Sequence, residues 1–343
     1  MPSIIFEERE LAAMVPDPGA GGAFTPVRLR WRRDPLTDAS TRILSGVKLQ
    51  PASRPDLTEL VAPPAFCPFD AERLEETTFP FPPELTSEGR IRRGKAVVVP
   101  NLLAYASHSA VGIYDPARHF LDLDELTGPL IGDTLAALVR HAQAVRRLDP
   151  TSAWSSINAN YLPPSGSSLV HPHVQSAHDS CGTFLQRTLV ERSAAWPGPG
   201  SYWEALIAEE EGGPRWIGIT DRVAWLTPFA PIAFHEVLGV VRGCADVTEL
   251  TDEDTAALGE GLSRILTAYK HANLTSFNFA LIGGGPDGSA SRYQVVMKVI
   301  SRSNAEPMYR SDATYFERLH GEAMIDLSPE EIAESVRAEP VTA

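Results

Sequence analysis

The residues that could do chemistry are concentrated in the ten-residue run from Gly166 to Gln175, with the sequence GSSLVHPHVQ. Within it His171, His173 and Gln175 are spaced two residues apart. Alternate side chains of an extended strand share a face, so these three should point the same way. Burying three polar groups costs free energy unless each has a partner. Metal coordination, phosphate binding and covalent chemistry are the explanations that these residue types offer.

A site for phosphoryl chemistry would account for the polar residues of this run. A neutral imidazole is a good nucleophile towards phosphorus near pH 7, since its unperturbed pKa is about 6.5. Gln175 can donate an amide N–H to a phosphoryl oxygen, and Ser168 can donate a hydroxyl. Gly166 allows the backbone to approach a phosphate closely. The alternative, a surface His-Pro-His turn, leaves the spacing of the flanking glycine, serine and glutamine unexplained.

A metal site is a second interpretation of some of these residues. Cys67 and Asp70 have the two-residue gap of a zinc knuckle, with aspartate where a second cysteine often lies. His119 and His171 would complete a tetrahedral set of N, O and S ligands, and a site with only protein ligands is structural. The alternative is that Cys67 is a small buried apolar residue and that Asp70 caps a helix. Spacing alone favours this alternative.

The composition excludes several classes of protein. The chain has 343 residues, 43% of them apolar and 22% charged, which is ordinary for a globular protein. A net charge of −14 argues against nucleic acids and anionic membrane surfaces as partners, because binding to either requires a basic patch. The three cysteines lie far apart, and no signal peptide or membrane-spanning run is evident. We therefore expect a soluble protein of the cytoplasm.

The elements that must position these residues occur twice, about 120 residues apart, which indicates internal duplication. The alternative is that an α+β protein contains two such units by chance. The first copy predicts a helix over 130–148, a strand over 154–160, a loop over 162–168 and the histidine strand from about 169. The second copy predicts a helix that begins at Thr251 with Asp254 three residues on, strands over 275–282 and 292–300, and a glycine-rich loop over 283–288.

The two copies differ at the motif. The second copy has the sequence QVVMK, from Gln294 to Lys298, where the first has HPHVQ. The segment 193–201 is rich in Pro, Gly and Ser and separates the two copies. We therefore predict an α+β protein with an N-terminal half, 1–192, that carries the active site. A C-terminal half, 202–343, lacks the motif histidines.

The motif Gly-x-Ser-x-x-His-Pro-His-x-Gln resembles the active-site signature of galactose-1-phosphate uridylyltransferases, a branch of the histidine-triad superfamily. The resemblance extends over roughly residues 28 to 337. It includes the segment RRDPLT at 32–37, Asn101 after Val-Pro, and Asn160 six residues before Gly166. The segments 222–229, 316–319 and 326–330 are similar to the opening of that family's second half and to its C-terminal end.

The resemblance implies a fold of two tandem histidine-triad-like halves, with antiparallel sheets and packed helices, working as a homodimer. It implies that His173 is the nucleophile, that Gln175 holds the nucleotidyl-histidine and that Ser168 contacts the leaving sugar phosphate. It also implies that other residues contact the nucleotide-sugar and sugar-phosphate substrates and that a third set of residues holds a structural zinc ion. The implied substrate contacts are Asn101, Asn160, Gly166, Ser167, Lys48 and Glu317. The implied zinc ligands are Cys67, His119 and His171, which favours the four-residue site that includes Asp70.

The chain also departs from the family's pattern. Gly283, Val296 and Lys298 occupy the positions of a second metal site, so we predict that no second iron or zinc site is present. Ser311 and Met324 replace a lysine and a glutamine that contact the sugar phosphate, while Glu317 is kept. Lys48 aligns with one of two family arginines near the phosphates. The other arginine has no clear equivalent in this chain, although Arg54 is close.

The predicted function is nucleotidyl transfer by double displacement through His173. The group moved is a nucleoside monophosphate, from a nucleotide sugar (UDP-hexose as the first candidate) to a sugar 1-phosphate. One alternative is a nucleotide-sugar or dinucleotide phosphorylase or adenylyltransferase. Another is a nucleotide-binding homologue without catalysis, although a pure binder has no need of a nucleophile.

Overall fold

The computed structural model describes residues 4–44, 53–103, 105–285, 292–306 and 308–340, and within them it has an α+β architecture. The strands are β1 Glu7–Asp17, β2 Ala23–Arg33, β3 Ser40–Leu44, β4 Ile91–Arg93, β5 Ala96–Pro100, β6 His108–Ile113, β7 Trp154–Tyr161, β8 His173–Asp179, β9 Trp216–Thr220, β10 Val223–Leu226, β11 Val237–Val241, β12 Phe277–Ile282, β13 Val296–Ser301 and β14 Ala323–Ile325. The helices are α1 Leu74–Thr77, α2 Gly128–Leu148, α3 Phe184–Ala194, α4 Tyr202–Glu210, α5 Asp252–His271 and α6 Pro329–Ala338.

In the described part of the chain, ten strands form one antiparallel sheet with the same connectivity from either edge. The order is β4-β5-β6-β8-β7-β12-β13-β11-β10-β9. Counted inwards from either edge, each group of five strands has the same connectivity, and β7 pairs with β12 where the groups meet. The helix that precedes the last two strands is α2 in the first group and α5 in the second. The α+β prediction is confirmed, and the predicted repeat of helix, strand, strand is present in both groups.

Helices α2 and α5 pack against each other and against the sheet. Glycines allow the close approach, since a Cβ on Gly259 would collide with the backbone of Gly128 and Gly132. Helix α5 begins as predicted, because Thr251 and Asp254 form a reciprocal capping box. Helix α2 begins two residues earlier than predicted, and a proline in its first turn is compatible with this start.

The two faces of the large sheet have different environments. Burial alternates along β7 and β8, so one face is buried and the other is only half-buried. In the second group of strands, this other face is covered by an apolar cluster that includes α3 and α4. The cluster contains Leu189, Val190, Tyr202, Trp203, Leu206, Ile207, Ala224, Leu226, Leu238, Val240 and Val296. The polar positions of β7 and β8 therefore remain partly accessible, whereas the equivalent surface of the second group forms a core.

A smaller sheet joins the two ends of the chain. Its order is β1-β2-β3-β14, and β14 pairs with β3 in parallel. Arg32 of β2 is buried and makes ion pairs with Glu8 and Glu330, which lies in α6. Among the residues described, no helix combines the length and the apolar character that crossing a membrane would require.

Candidate active site

The loop between β7 and β8 is shaped by its proline and glycine residues. Pro163–Ser165 form one 3-10 turn, and Gly166 ends it with φ +97°, a conformation that strains any residue with a Cβ. The Ser167 hydroxyl donates to the Leu169 carbonyl at 2.6 Å. Ser168 is exposed in the same loop. The backbone and Ser168 are therefore presented at the end of β7.

The histidine strand begins at His173 and not at about 169, so this predicted boundary is wrong. Pro172 has no N–H to contribute to a sheet, and the strand starts directly after it. His171 therefore lies outside the regular strand and is fully buried, while His173 and Gln175 are half-buried. Both histidine rings still contact the Phe69 ring edge-to-face, with centroids 6.0 and 5.5 Å away.

A hydrogen bond fixes which nitrogen of His173 is available. Nδ1 lies 2.8 Å from the carbonyl oxygen of His171, and since a carbonyl can only accept, Nδ1 carries the proton. Burial lowers the pKa of His173, which favours the neutral ring near pH 7. Nε2 consequently keeps its lone pair.

Amide side chains surround this histidine on the same face of the sheet. Gln175 pairs in register with Asn158 of β7, and directly opposed residues of antiparallel strands point to the same face. Asn160 follows two residues later on that face. The motif did not reveal Asn158, although the two-residue period of β7 could have done so.

A residue of the second group of strands holds the Asn160 side chain by a hydrogen bond. Its Oδ1 accepts a hydrogen bond from Asn278 Nδ2 at 2.7 Å, and Asn278 lies opposite it on β12. Its own Nδ2 faces the loop, 3.9 Å from where a Cβ on Gly166 would lie. Asn278 was not found from the sequence, because nothing local to residue 278 indicates which strand it pairs with.

Four side chains that we predicted as metal ligands come together beside the histidine strand. One ligand atom from each of Cys67, Asp70, His119 and His171 lies within 4.8 Å of the others. Asp70 Oδ1 is 3.0 Å from Nδ1 of His119 and 3.1 Å from Nδ1 of His171. Cys67 Sγ is 3.7 Å from His171 Nδ1. The cluster could hold a metal ion.

The hydrogen bonding of His171 is consistent with a cation in this cluster. Its Nε2 lies 3.1 Å from the Asp115 carbonyl and must donate to it, so in a neutral ring Nδ1 presents a lone pair to the Asp70 carboxylate. Burial lowers the pKa of His171, which opposes a second proton, and burial raises the pKa of the Cys67 thiol. Two imidazoles, a carboxylate and a thiolate suit Zn²⁺.

The remaining predicted substrate contacts are less closely grouped. Asn101 follows β5, and its side chain accepts from Leu103 N at 2.9 Å and reaches the Tyr105 hydroxyl at 3.3 Å. Glu317 lines a cavity of about 370 Å³ together with Ser311 and Met324.

Lys48 is the one predicted cationic contact, and it lies outside the described residues. Arg54, which is close to it in the sequence, makes a bidentate ion pair with Asp122. Burial alone would raise the pKa of Asp122, but Arg54 and Lys270 lower it to about 2. Arg54 therefore has a structural partner in this conformation.

Solved structures of other proteins share the fold of this chain. An ADP-glucose phosphorylase from Arabidopsis thaliana, solved with bound ADP-glucose, matches with TM-score 0.69 and 18% identity over 90% of this chain and 99% of that one. A uridylyltransferase structure matches with TM-score 0.64 and 21% identity over 90% and 97%. An uncharacterized protein from Archaeoglobus fulgidus is 29% identical over 309 residues, 89% of this chain and 91% of the relative. No protein-family model matches the chain. The chain thus has the α+β fold that its sequence resemblance predicted.

Proposed function

We propose that this protein is a nucleotidyltransferase that moves a nucleoside monophosphate group from a nucleotide sugar to a sugar 1-phosphate through a covalent intermediate on His173. The observation that carries the proposal is the 2.8 Å hydrogen bond from His173 Nδ1 to the His171 carbonyl. It leaves Nε2 as the nucleophilic atom at the partly accessible face of the sheet. UDP-hexose is the first donor to test on the sequence resemblance, and the fold shared with an ADP-glucose phosphorylase adds ADP-glucose.

The reaction consists of two displacements at the same phosphorus. In the first, the Nε2 lone pair attacks the α-phosphorus, the bond to the bridging oxygen breaks, and the sugar 1-phosphate leaves with the electron pair. In the second, a phosphate oxygen of the acceptor attacks this phosphorus and the imidazole leaves. Nδ1–H of His173 keeps its hydrogen bond to the His171 carbonyl in both steps. This bond strengthens when the nucleotidylated ring carries positive charge.

Neutral hydrogen-bond donors around Nε2 would stabilise the charge that develops on the phosphoryl oxygens. We assign this role to the Gln175 amide, to Asn160 Nδ2 and to the Ser168 hydroxyl, with the backbone at Gly166 allowing close approach. The Ser167 hydroxyl is engaged with the loop backbone and holds the loop in place. Asn101 is assigned to the nucleoside and Glu317 to the acceptor sugar on sequence resemblance.

The proposal includes a structural zinc ion held by Cys67, Asp70, His119 and His171. When bound, the ion supplies a fixed positive charge that neutralises the carboxylate and thiolate. His171 then connects the two sites, because its ring is a ligand and its carbonyl sets the tautomer of His173. The strand order supports a division into two histidine-triad-like halves at residues 193–201, and the sequence resemblance supports a homodimer.

The proposed transferase passes the nucleotidyl group to a sugar 1-phosphate, whereas a phosphorylase would pass it to inorganic phosphate. The nucleotidyl-enzyme, freed of donor, is expected to transfer its label to a hexose 1-phosphate at least about tenfold faster than to inorganic phosphate at equal concentration, because only the sugar gains hydrogen-bonded contacts in its site. Product analysis after a rapid chase measures both rates. Faster discharge to phosphate would instead identify a phosphorylase. The test is needed because Ser311 and Met324, which line the same cavity as Glu317, replace the lysine and glutamine that contact the sugar phosphate in the similar family.

Alanine at Gly166 tests the loop. With φ at +97°, a Cβ would strain the backbone by about 1–3 kcal/mol and displace the loop from Asn160. We expect the rate of covalent labelling to fall about tenfold, since small misplacements at a reacting centre are costly. Gly200, at φ +66° in the segment between the halves, is the matched control, and its alanine variant should lose stability without losing rate. An equal effect of both substitutions on the rate would contradict the assignment.

A further inference from the structure

A line of four polar side chains leads from the predicted phosphate site into the second group of strands. Asp312 binds Arg302 through two contacts, of 2.6 and 2.7 Å. Arg302 Nη1 donates to Asn278 Oδ1 at 2.8 Å, and Asn278 Nδ2 donates to Asn160 Oδ1 at 2.7 Å. We refer to Asp312, Arg302, Asn278 and Asn160 as the relay. The relay crosses the junction between β7 and β12 and ends beside Gly166.

The orientation of the Asn278 amide is determined by its neighbours. A guanidinium can only donate, so the atom facing Arg302 must be the amide oxygen. On the other side, the Asn278 nitrogen also lies 3.0 and 3.1 Å from the carbonyls of Ala159 and Ser165, which can only accept. In the reversed amide, the Asn278 nitrogen would face the Arg302 N–H, donor against donor. The Asn278 oxygen would face the carbonyls of Ala159 and Ser165, acceptor against acceptor. One orientation is therefore strongly preferred.

This orientation is passed on to Asn160. Because Asn278 presents an N–H, the Asn160 atom that faces it must be the oxygen. The Asn160 nitrogen is then turned towards the loop, and it lies on the Gly166 side. An isolated asparagine could present either end of its amide to a ligand, and only the nitrogen end can donate to a phosphate oxygen. An oxygen in that place would face the phosphate's negative charge.

We propose that Asn278 is a positioning residue for nucleotidyl transfer: held by Arg302 and Asp312, it orients the Asn160 amide so that Nδ2 donates to the phosphoryl group. Asn278 itself does not contact the substrate. The inference rests on the proposed function, since it requires a phosphoryl group beside Gly166. It also gives the second half of the chain, which lacks the motif histidines, a part in the reaction.

The test is a double-mutant comparison of single-turnover labelling with a nucleotide sugar. Asn278→Asp keeps an acceptor for Arg302 but loses the donor to Asn160, and the Asn160 amide should then turn its nitrogen towards the new carboxylate. We expect labelling of His173 to slow by about 100- to 1,000-fold, the range typical of losing one donor to a developing negative charge. Asn278→Ala removes the relay without adding charge and serves if the aspartate variant does not fold.

The same two substitutions are made in an Asn160→Ala background. A residue that acts through Asn160 should then have little further effect, so we expect less than about a twofold change there. Asn273→Asp, at a loop position with φ +62° that aspartate tolerates, controls for the added charge and should leave the rate unchanged.

Three outcomes would overturn the inference. They are an unchanged rate for both Asn278 variants, an equal loss in both Asn160 backgrounds, or a loss reproduced by Asn273→Asp. A wild-type protein that is not labelled by any nucleotide sugar would refute the proposed function first, and the inference with it.

Discussion

Asparagine at His173 is expected to abolish covalent labelling by a nucleotide sugar, with a rate at least about 10⁴-fold below that of the wild-type protein. Asparagine is smaller than histidine, but its amide N–H can still reach towards the His171 carbonyl that holds Nδ1. It has no atom equivalent to the Nε2 lone pair. The change therefore removes the nucleophile while leaving the hydrogen bond available.

The measurement uses nucleotide sugar labelled in its α-phosphate. A phosphoramidate on histidine is expected to be lost in acid and to survive in alkali, and peptide mapping should place it at residue 173. His108→Asn is the control, because His108 is a partly buried histidine on the adjacent strand β6 whose partner is Asp149. It should retain labelling. Label retained in His173→Asn would refute the mechanism, and a wild-type protein unlabelled by UDP-, ADP- and GDP-sugars would favour a binding protein.

Elements determined by local chemistry could be predicted from the sequence. Helix α5 begins where Thr251 and Asp254 cap each other, and both residues can be read from a four-residue window. Strand β7 matches its prediction to one residue, since its buried and half-buried side chains alternate throughout. The predicted start of the histidine strand is too early because the apolar Leu169 and Val170 extend the strand-like pattern, whereas Pro172 has no N–H to extend the sheet.

Features that depend on distant parts of the chain could not be predicted from spacing. The four metal-ligand candidates come from the loop before α1, the segment after β6 and the residue before Pro172, and folding alone brings them together. The spacing of Cys67 and Asp70 suggested a metal site but favoured a helix cap for Asp70, and the family resemblance then raised the weight of the metal site. Asn278 was missed for a related reason. Its role depends on the pairing of β12 with β7, which is a property of the whole sheet.

The substitution Cys67→Ser is expected to remove the bound metal and to destabilise the protein. Serine is a weak zinc ligand, so the metal content should fall from about one equivalent to less than about a tenth of one. Without the ion, the Asp70 carboxylate and the buried His171 lose a shared cation, at a cost of about 3 kcal/mol. For a chain of this size, the thermal midpoint should fall by roughly 5 °C.

The same change should also slow the chemistry, although Cys67 does not touch the substrate. His171 is held by the cluster through Nδ1, and its carbonyl holds Nδ1 of His173. A loosened His171 would let the His173 ring rotate and divide its proton between the two nitrogens, so we expect labelling to slow by about tenfold or more. The nucleotidyl group should still be found on residue 173, because the nucleophile itself is intact.

Cys244→Ser separates the metal from the general cost of replacing a buried cysteine. Cys67 and Cys244 are both 1% exposed, and Cys244 Sγ donates to the Asp246 carbonyl at 3.3 Å, a bond that a serine hydroxyl can also make. Its variant should keep the metal and the labelling rate, with a loss of stability of about 1 kcal/mol. Elemental analysis, thermal unfolding and labelling of the three proteins then give a joint result. A full equivalent of metal in Cys67→Ser, or none in the native wild-type protein, would contradict the metal site. Metal loss without slower labelling would leave the metal site standing and contradict only its proposed effect on His173 through His171.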